Sequence, residues 1–396
     1  MAGFLDVVYR SDEKDRVSTF LTVILNNVFP YLRVRMTSNS DRFLAASRLL
    51  ASVSSYQYTR RSWRREVLDL LYEPVFFQMS PTVLQNWNVI IDNLMTQDKN
   101  TFKEALVRLT FSQPAGLNLF SNKEIEHDLR AACLKKLSYL VYASEADQYA
   151  KSMPDLLERL TECLRLGQGL IPQVHAQVFI FARTLLSRMS AVQLTSLWPI
   201  IIPEVIMVFK ALANFLSLCS KQSNGKSVER KNDTKPPTAK ELSMYLGACK
   251  FLATCLLLPE YKVPQFPFYR WIFVNDSLSF TGDTTISLKT PPDSSPQSFI
   301  PYVTEVTQLI QDSPLINQFK SVDRPNFSPV QGCLHILALD RLDQICELAP
   351  FLFSLEKKSD STANLASSPT VENGVLLELA LEAALAQEFP EPITSR

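Results

Sequence analysis

The amino-acid sequence predicts an all-α protein, an irregular HEAT- or armadillo-like helical repeat (an α-solenoid) with disordered loops in its C-terminal half. Three observations carry that expectation. The chain has only 9 glycines in 396 residues, far below the ordinary share of about 7%. Sheet proteins spend glycine on hairpin turns, and nucleotide-binding folds spend it on phosphate loops. Apolar residues recur at helical spacing through most of the chain. Helix-start signals fall every ~20–30 residues, so helix pairs recur near the ~40-residue scale of helical repeats. Each pair would bury one apolar face within itself and another against its neighbour.

The elements follow in order. Val17, Phe20, Leu21, Ile24, Leu25 and Val28 form the first apolar stripe. Phe43, Ala46, Leu49, Leu50 and Val53 form the second, entered from Ser40 as N-cap. Pro81 follows Ser80 where a first-turn proline belongs, ahead of Leu84, Trp87, Ile91 and Leu94. Ser121 with Glu124 predicts a capping box before Ile125, Leu129, Ala132 and Leu137. Pro154 opens a helix carrying Leu157, Leu160 and Leu164. Ser190 with Gln193, and Thr238 with Glu241, predict two further boxes, and Pro203 starts a stripe through Ile206, Phe209 and Leu216.

These elements assign residues 1–220 to one helical-repeat region. Residues 221–237 carry five basic and two acidic side chains and almost nothing apolar, which predicts a disordered linker. A helix with an aromatic segment is expected over 238–276, a disordered loop over 277–298 and a helical region over 299–357. A polar loop over 358–374 precedes a C-terminal helix at 375–390. Within these regions helices are placed near 239–257, 301–311, 333–355 and 375–388.

With 40 basic and 40 acidic residues the chain has no global field to hold nucleic acid or an anionic membrane, so such binding must come from a local patch. The start at Met1 lacks the basic region and unbroken apolar stretch of a signal peptide. The most apolar run, Pro199 to Cys219, is interrupted by Pro203, Glu204 and Lys210, so no transmembrane span is expected. Seven cysteines without a C-x-x-C pair read as reduced core thiols in a reducing compartment. The sequons at Asn232, Asn275 and Asn326 are then coincidental.

Enzyme readings fail on the residues present. His127, His175 and His335 are widely separated, and none belongs to a metal-binding motif. Gly167-Gln168-Gly169 opens like a dinucleotide loop but has Pro172 where the third glycine belongs. No nucleophile elbow or Walker loop is present in the sequence, and no catalytic residue, metal or cofactor is expected.

Two constellations stand out. Arg60, Arg61, Arg64 and Arg65 follow Tyr56-Gln57-Tyr58-Thr59, and on a helix their i,i+4 spacing puts four guanidiniums on one flank with Trp63, Val67 and Leu70 toward the core. They read either as a phosphoinositide or acidic-partner site, or as a solvated face paired internally with Glu66, Asp69 or Glu73. The aromatic segment 264–274, with Phe266, Tyr269, Arg270 and Trp271, reads either as a partner-docking strip or as a wedge between helices. Trp198 is a core candidate.

The segments YQYTRRSWRRE (56–66), FFQM (76–79), DNLMTQDK (92–99), LNLF (117–120), LTSLWPIIIPEV (194–205), ACKFL (248–252) and PQFPFYRWIFV (264–274) together resemble the C-terminal region of the Dopey family. The resemblance runs from about Phe4 to Asn275, and nothing is carried over beyond residue 276. It implies a large helical-repeat protein, cytosolic and peripheral on Golgi (trans-Golgi network) and endosomal membranes. It also implies a large Arf-exchange-factor-related Golgi scaffold as partner, and a role in endosome-to-Golgi retrieval. The family has no established catalytic residues to transfer. Beside a non-catalytic trafficking scaffold that binds proteins and anionic phosphoinositide membrane stands a soluble adaptor whose basic face binds acidic polymers or nucleic acid. Balanced charge and the absence of a nucleic-acid-binding module argue against the second.

Overall fold

The computed structural model describes residues 14–34, 39–109, 123–165, 169–223, 236–275, 299–312, 328–356 and 371–391, with positions 3, 7, 9 and 10. Among these residues helices dominate and no strand occurs; an isolated parallel bridge joins Gln78 and Glu391. The all-α class read from the sequence is the class observed. The chain forms two compact units, one of Met1–Gly167, Gln177–Gln193 and Leu379–Arg396, the other of Gln168–Ala176 and Leu194–Glu378.

The first unit opens with α1 (Lys14–Arg33), α2 (Ser40–Ser54), α3 (Arg60–Tyr72), α4 (Pro81–Thr96) and α5 (Lys99–Arg108). Helix α1 packs on α2 and α3, α2 on α4, and α4 on α5. The inner face of α1 is Val17, Leu21, Leu25, Val28 and Leu32, all buried. Phe20, read from the sequence as part of that stripe, is 56% exposed. At about 100° per residue it lies too far round the helix to join the others. Helix α2 starts at Ser40, but its N-cap is Asn39, whose amide donates to the carbonyls of Tyr31 and Val34 and ties the α1–α2 turn. Ser80 caps α4 as read, with Pro81 at its first position. Indole Nε1 of Trp87 on α4 donates to Ser47 Oγ on α2 at 3.2 Å, so the two helices share a polar tie inside an apolar contact.

Helices α6 (Lys123–Tyr142) and α7 (Met153–Leu164) continue this unit. The face expected from Ile125 and Leu129 is solvent-exposed, and the buried face runs through Ala131, Leu134, Leu137, Leu140 and Val141. Leu134 stands about half a turn round from Ile125; of the four residues read as the stripe, Ile125, Leu129 and Ala132 lie on the outer side and Leu137 on the buried one. The expected Ser121 cap and the LNLF segment lie outside the described residues. Lys136 is buried, and its ammonium donates at 2.8 Å to the Tyr72 carbonyl in the last turn of α3. A cation there complements the negative end of the helix dipole.

Helix α8 (Pro172–Arg188) begins after Gly169, whose φ of +121° explains a glycine at that turn. The other members of the Gly167 loop lie outside the described residues. Ser190 and Gln193 form a turn rather than a capping box, with the Gln193 N–H donating to the Ser190 carbonyl. The next helix, α9 (Trp198–Ser223), starts at Trp198, so Pro203 lies inside it rather than at its start. Its stretch Trp198–Cys219 has mean hydropathy 1.8 and is long and apolar enough to cross a membrane. Ile201, Ile202, Val205, Val208, Phe209, Leu212 and Leu216 are nevertheless buried on one side, as in the core helix of a folded unit. His175 is a satisfied core histidine, with Nε2 2.9 Å from Glu204 of α9 and Nδ1 at the Ile171 backbone.

The second unit continues with α10 (Ala239–Leu257), α11 (Pro267–Phe273), α12 (Tyr302–Gln311), α13 (Pro329–Leu334) and α14 (Ala349–Glu356). Helix α9 packs on α10 and α12, α12 on α14, and α10 on α13. The single helix expected over 333–355 is instead α13, a 3₁₀ turn at Leu342–Leu348 and α14. A final helix, α15 (Val371–Ala386), starts within the stretch read as the 358–374 polar loop, just as α9 extends through Ser223. Residues 224–235, 276–298 and 357–370 lie outside the described residues.

The Thr238–Glu241 box at the start of α10 forms in both directions: Glu241 accepts from the Thr238 N–H at 2.7 Å, and Thr238 Oγ1 accepts from the Glu241 N–H at 3.3 Å. Thr238→Ala is expected to cost about 1 kcal/mol of stability, measured by chemical denaturation. An unchanged midpoint would mean the first turn of α10 frays in solution.

Candidate functional site

The four arginines of α3 divide between two faces. Arg60 donates to the Asp98 carboxylate at 2.5 Å and to Thr101 Oγ1 at 3.0 Å. Arg64 forms an ion pair with Glu104. Asp98 is also the N-cap of α5, accepting from the Asn100 N–H, so this flank of α3 is fastened to the start of α5. The internal partners are therefore Asp98 and Glu104, not Glu66, Asp69 or Glu73. Glu66 pairs with Arg33 of α1 at 2.5 Å.

Arg61 and Arg65, one residue on from each fastened arginine and about 100° round the helix, are exposed. Neither makes an ion pair among the described residues. On the opposite side Trp63, Val67, Leu70 and Leu71 are buried, and the Trp63 Nε1 donates to Thr59 Oγ1 at 3.0 Å. The flank of four is thus two structural and two solvent-facing cations, 61 and 65 being i,i+4 neighbours.

The hydrogen bond from Arg60 to Asp98, aided by the Asn100 N–H, holds the Asp98 carboxyl below its ordinary value. A depressed folded-state value stabilises the fold above the unfolded carboxylate range, and that contribution is lost as pH falls through the folded value. Asp98→Asn is expected to lower stability at pH 7 and to flatten its decline as pH falls below the ordinary carboxylate range of about 4. Denaturation midpoints measured from pH 7 down through the acid range test both parts.

The aromatic segment is also split. Phe266, Phe273 and Val274 are buried, with Phe266 against Trp198 at 5.9 Å between ring centroids. Tyr269 is half-buried and stacks on the same indole at 6.3 Å. Arg270 is exposed, Trp271 is 53% exposed and Phe268 76%. The Trp271 N–H donates to the Phe268 carbonyl, and its ring meets Phe299 edge-on at 5.4 Å. One side of this short helix seals the unit while the other presents rings to solvent.

A third arrangement, in the first unit, escaped the sequence reading. Phe389, just beyond α15, is fully buried against Phe77, Tyr139 and Tyr142. Its neighbours Glu388 and Glu391 pair with Arg183 and Lys135, each at 2.6 Å. The run Glu-Phe-Pro-Glu was the available signal, an aromatic between carboxylates after a helical stretch.

Among the described residues no group of His, Cys, Asp and Glu side chains is placed to hold a metal ion. No disulfide joins the cysteines, and burial pushes the Cys163 thiol up to about 12, which keeps it protonated.

Fold and surface define a class: an all-α protein whose exposed helix faces carry an arginine pair and an aromatic cluster over an apolar core. A family model described as DOP1 C-terminal matches residues 3–311, and the chain belongs to this DOP1, or Dopey, family. It is 35% identical over 417 residues to the protein DOP1 homolog of Drosophila melanogaster, covering 100% of this chain and 16% of the relative. It is 41% identical to protein DOP1B of Mus musculus over 69% of this chain and 12% of the relative. Protein pad-1 of Caenorhabditis elegans is 32% identical over 99% of this chain and 15% of its own length. The chain thus spans about a sixth or less of the curated relatives it matches. No solved structure matches.

Proposed function

We propose that this chain is a non-catalytic, peripheral-membrane scaffold segment in Golgi–endosome vesicle traffic, serving endosome-to-Golgi retrieval. Family membership supports the general trafficking role. The observation that carries the molecular reading is the exposed Arg61/Arg65 pair beside the fastened Arg60/Arg64 pair. Two guanidiniums one helical turn apart on a rigid face suit a phosphate-bearing headgroup, since arginine pairs bidentately with phosphate. Near an anionic leaflet each contributes roughly 1 kcal/mol, so recruitment also needs a second contact. In this reading that contact is a large Arf-exchange-factor-related Golgi scaffold, engaged through protein–protein binding.

The test combines flotation with phosphoinositide-containing vesicles and thermal melting on one preparation of Arg61→Glu/Arg65→Glu. The variant is expected to stay unbound while its melting temperature shifts by less than about 2 °C, because neither arginine holds the fold together. Equal flotation of variant and wild type would overturn the headgroup assignment. Capture from cytosol on the immobilised chain tests the protein partner separately.

A further inference from the structure

The first unit carries a groove whose aromatic wall is built from rings that also pack on one another. Phe76, Phe77, Trp87 and Tyr139 form a ring cluster: Phe76 meets Trp87 at 5.2 Å, and Phe77 meets Tyr139 at 5.5 Å between centroids. These contacts do not involve the C-terminal residues. Two cations stand over the same aromatic wall, Lys135 at 4.7 Å from the Phe77 ring and Arg188 at 5.1 Å from the Tyr142 ring. A third, Arg183, is only 2% exposed. Rings hold such cations by their quadrupole, which fixes charge positions along the groove.

Residues 382–391 fill it with matched chemistry. Glu382 meets Arg188 at 3.3 Å and accepts from the Ser187 hydroxyl. Glu388 meets Arg183, Phe389 enters the ring cluster, and Glu391 meets Lys135. The Glu391 N–H donates to the Phe77 carbonyl at 2.7 Å, pairing the segment to the groove as an added strand would. One aromatic anchor, three carboxylates on three cations and a backbone bond are the features of peptide recognition. Apolar residues would close this core at least as well as the buried Arg183–Glu388 pair, because buried ion pairs contribute little net stability against apolar replacements. Burial lowers the Lys135 proton affinity while Glu391 opposes it, so the cation is held by its partner rather than by water.

We propose that this groove is a peptide-recognition site for an acidic, phenylalanine-bearing segment, occupied in cis by the chain's own C-terminal residues 382–391 and able to exchange with the same segment in trans. The test uses Phe389→Ala in the full chain and a fluorescent synthetic peptide spanning residues 379–393. The peptide is expected to bind this variant, to raise its melting temperature, and to bind the wild-type chain, whose groove is filled, about 30-fold more weakly. A peptide with its own Phe389→Ala change is expected to lose binding by about the same factor, the scale of one interface hot spot. If the variant does not fold alone but the peptide restores its helical circular dichroism, the proposal also stands. A folded variant that ignores the peptide, or an unfolded one that the peptide does not rescue, would show that the segment is a permanent part of the core.

Discussion

Replacing Trp198 by alanine is expected to lower stability by about 3–5 kcal/mol, the range for large aromatic-to-alanine changes in a packed core. The indole is buried at the start of α9 and meets Phe251 of α10 at 6.5 Å, Phe266 at 5.9 Å and Tyr269 at 6.3 Å between centroids. Removing it leaves a cavity that three separate elements would have to close. Helix α11 has only seven residues and is held by one buried side, so it should loosen first. Hydrogen exchange at residues 266–274 is therefore expected to accelerate before the rest of the second unit responds. Trp198→Phe is expected to cost much less, about 1.5 kcal/mol or below, because it keeps the ring contacts. The Trp198 N–H also makes no hydrogen bond among the described residues, so nothing polar is left orphaned. A Phe variant as unstable as the Ala variant would show that the indole shape, not aromatic area, closes the core.

Two helix starts were readable in the sequence from local chemistry, and long-range pairing was not. The Ser80–Pro81 start and the Thr238–Glu241 box depend on residues within one turn, and both form as read. The face of α6 was misread because Ile125 and Leu129 are apolar but belong to its outer side, whereas the buried side mixes leucines with Lys136 and Ser138. Helical spacing correctly made Arg60/Arg64 and Arg61/Arg65 neighbours. It did not reveal that one pair meets Asp98 and Glu104, since the Arg60–Asp98 partners lie 38 residues apart and only tertiary packing joins them. The Phe389 socket is a more extreme case, because Lys135 and Glu391 are separated by 256 residues. Likewise the aromatic segment announced burial through composition alone, yet which of its rings would face solvent followed from the register of α11.

Helix α3 offers a contrast in which stability and binding separate by face. Trp63 is buried without measurable exposure, and its indole N–H donates to Thr59 Oγ1, whose single O–H is within hydrogen-bond reach of both the Val53 and the Tyr56 carbonyl, at the end of α2 and the turn that follows. Trp63→Ala removes both the largest apolar surface of α3 and the donor that Thr59 accepts from. A loss of about 3–5 kcal/mol is expected, read as a shift in the denaturation midpoint at unchanged slope. Arg61→Glu/Arg65→Glu on the opposite face is expected to move that midpoint by roughly 0.5 kcal/mol or less, as for surface changes generally. Nearly all the stability effect thus belongs to the buried face, and a vesicle-binding defect without it belongs to the exposed one. If Trp63→Ala proved as mild as the arginine pair, α3 would not be anchored by its indole. The Arg60–Asp98 and Arg64–Glu104 contacts would then have to hold the helix, and Arg60→Ala/Arg64→Ala would have to produce the larger loss.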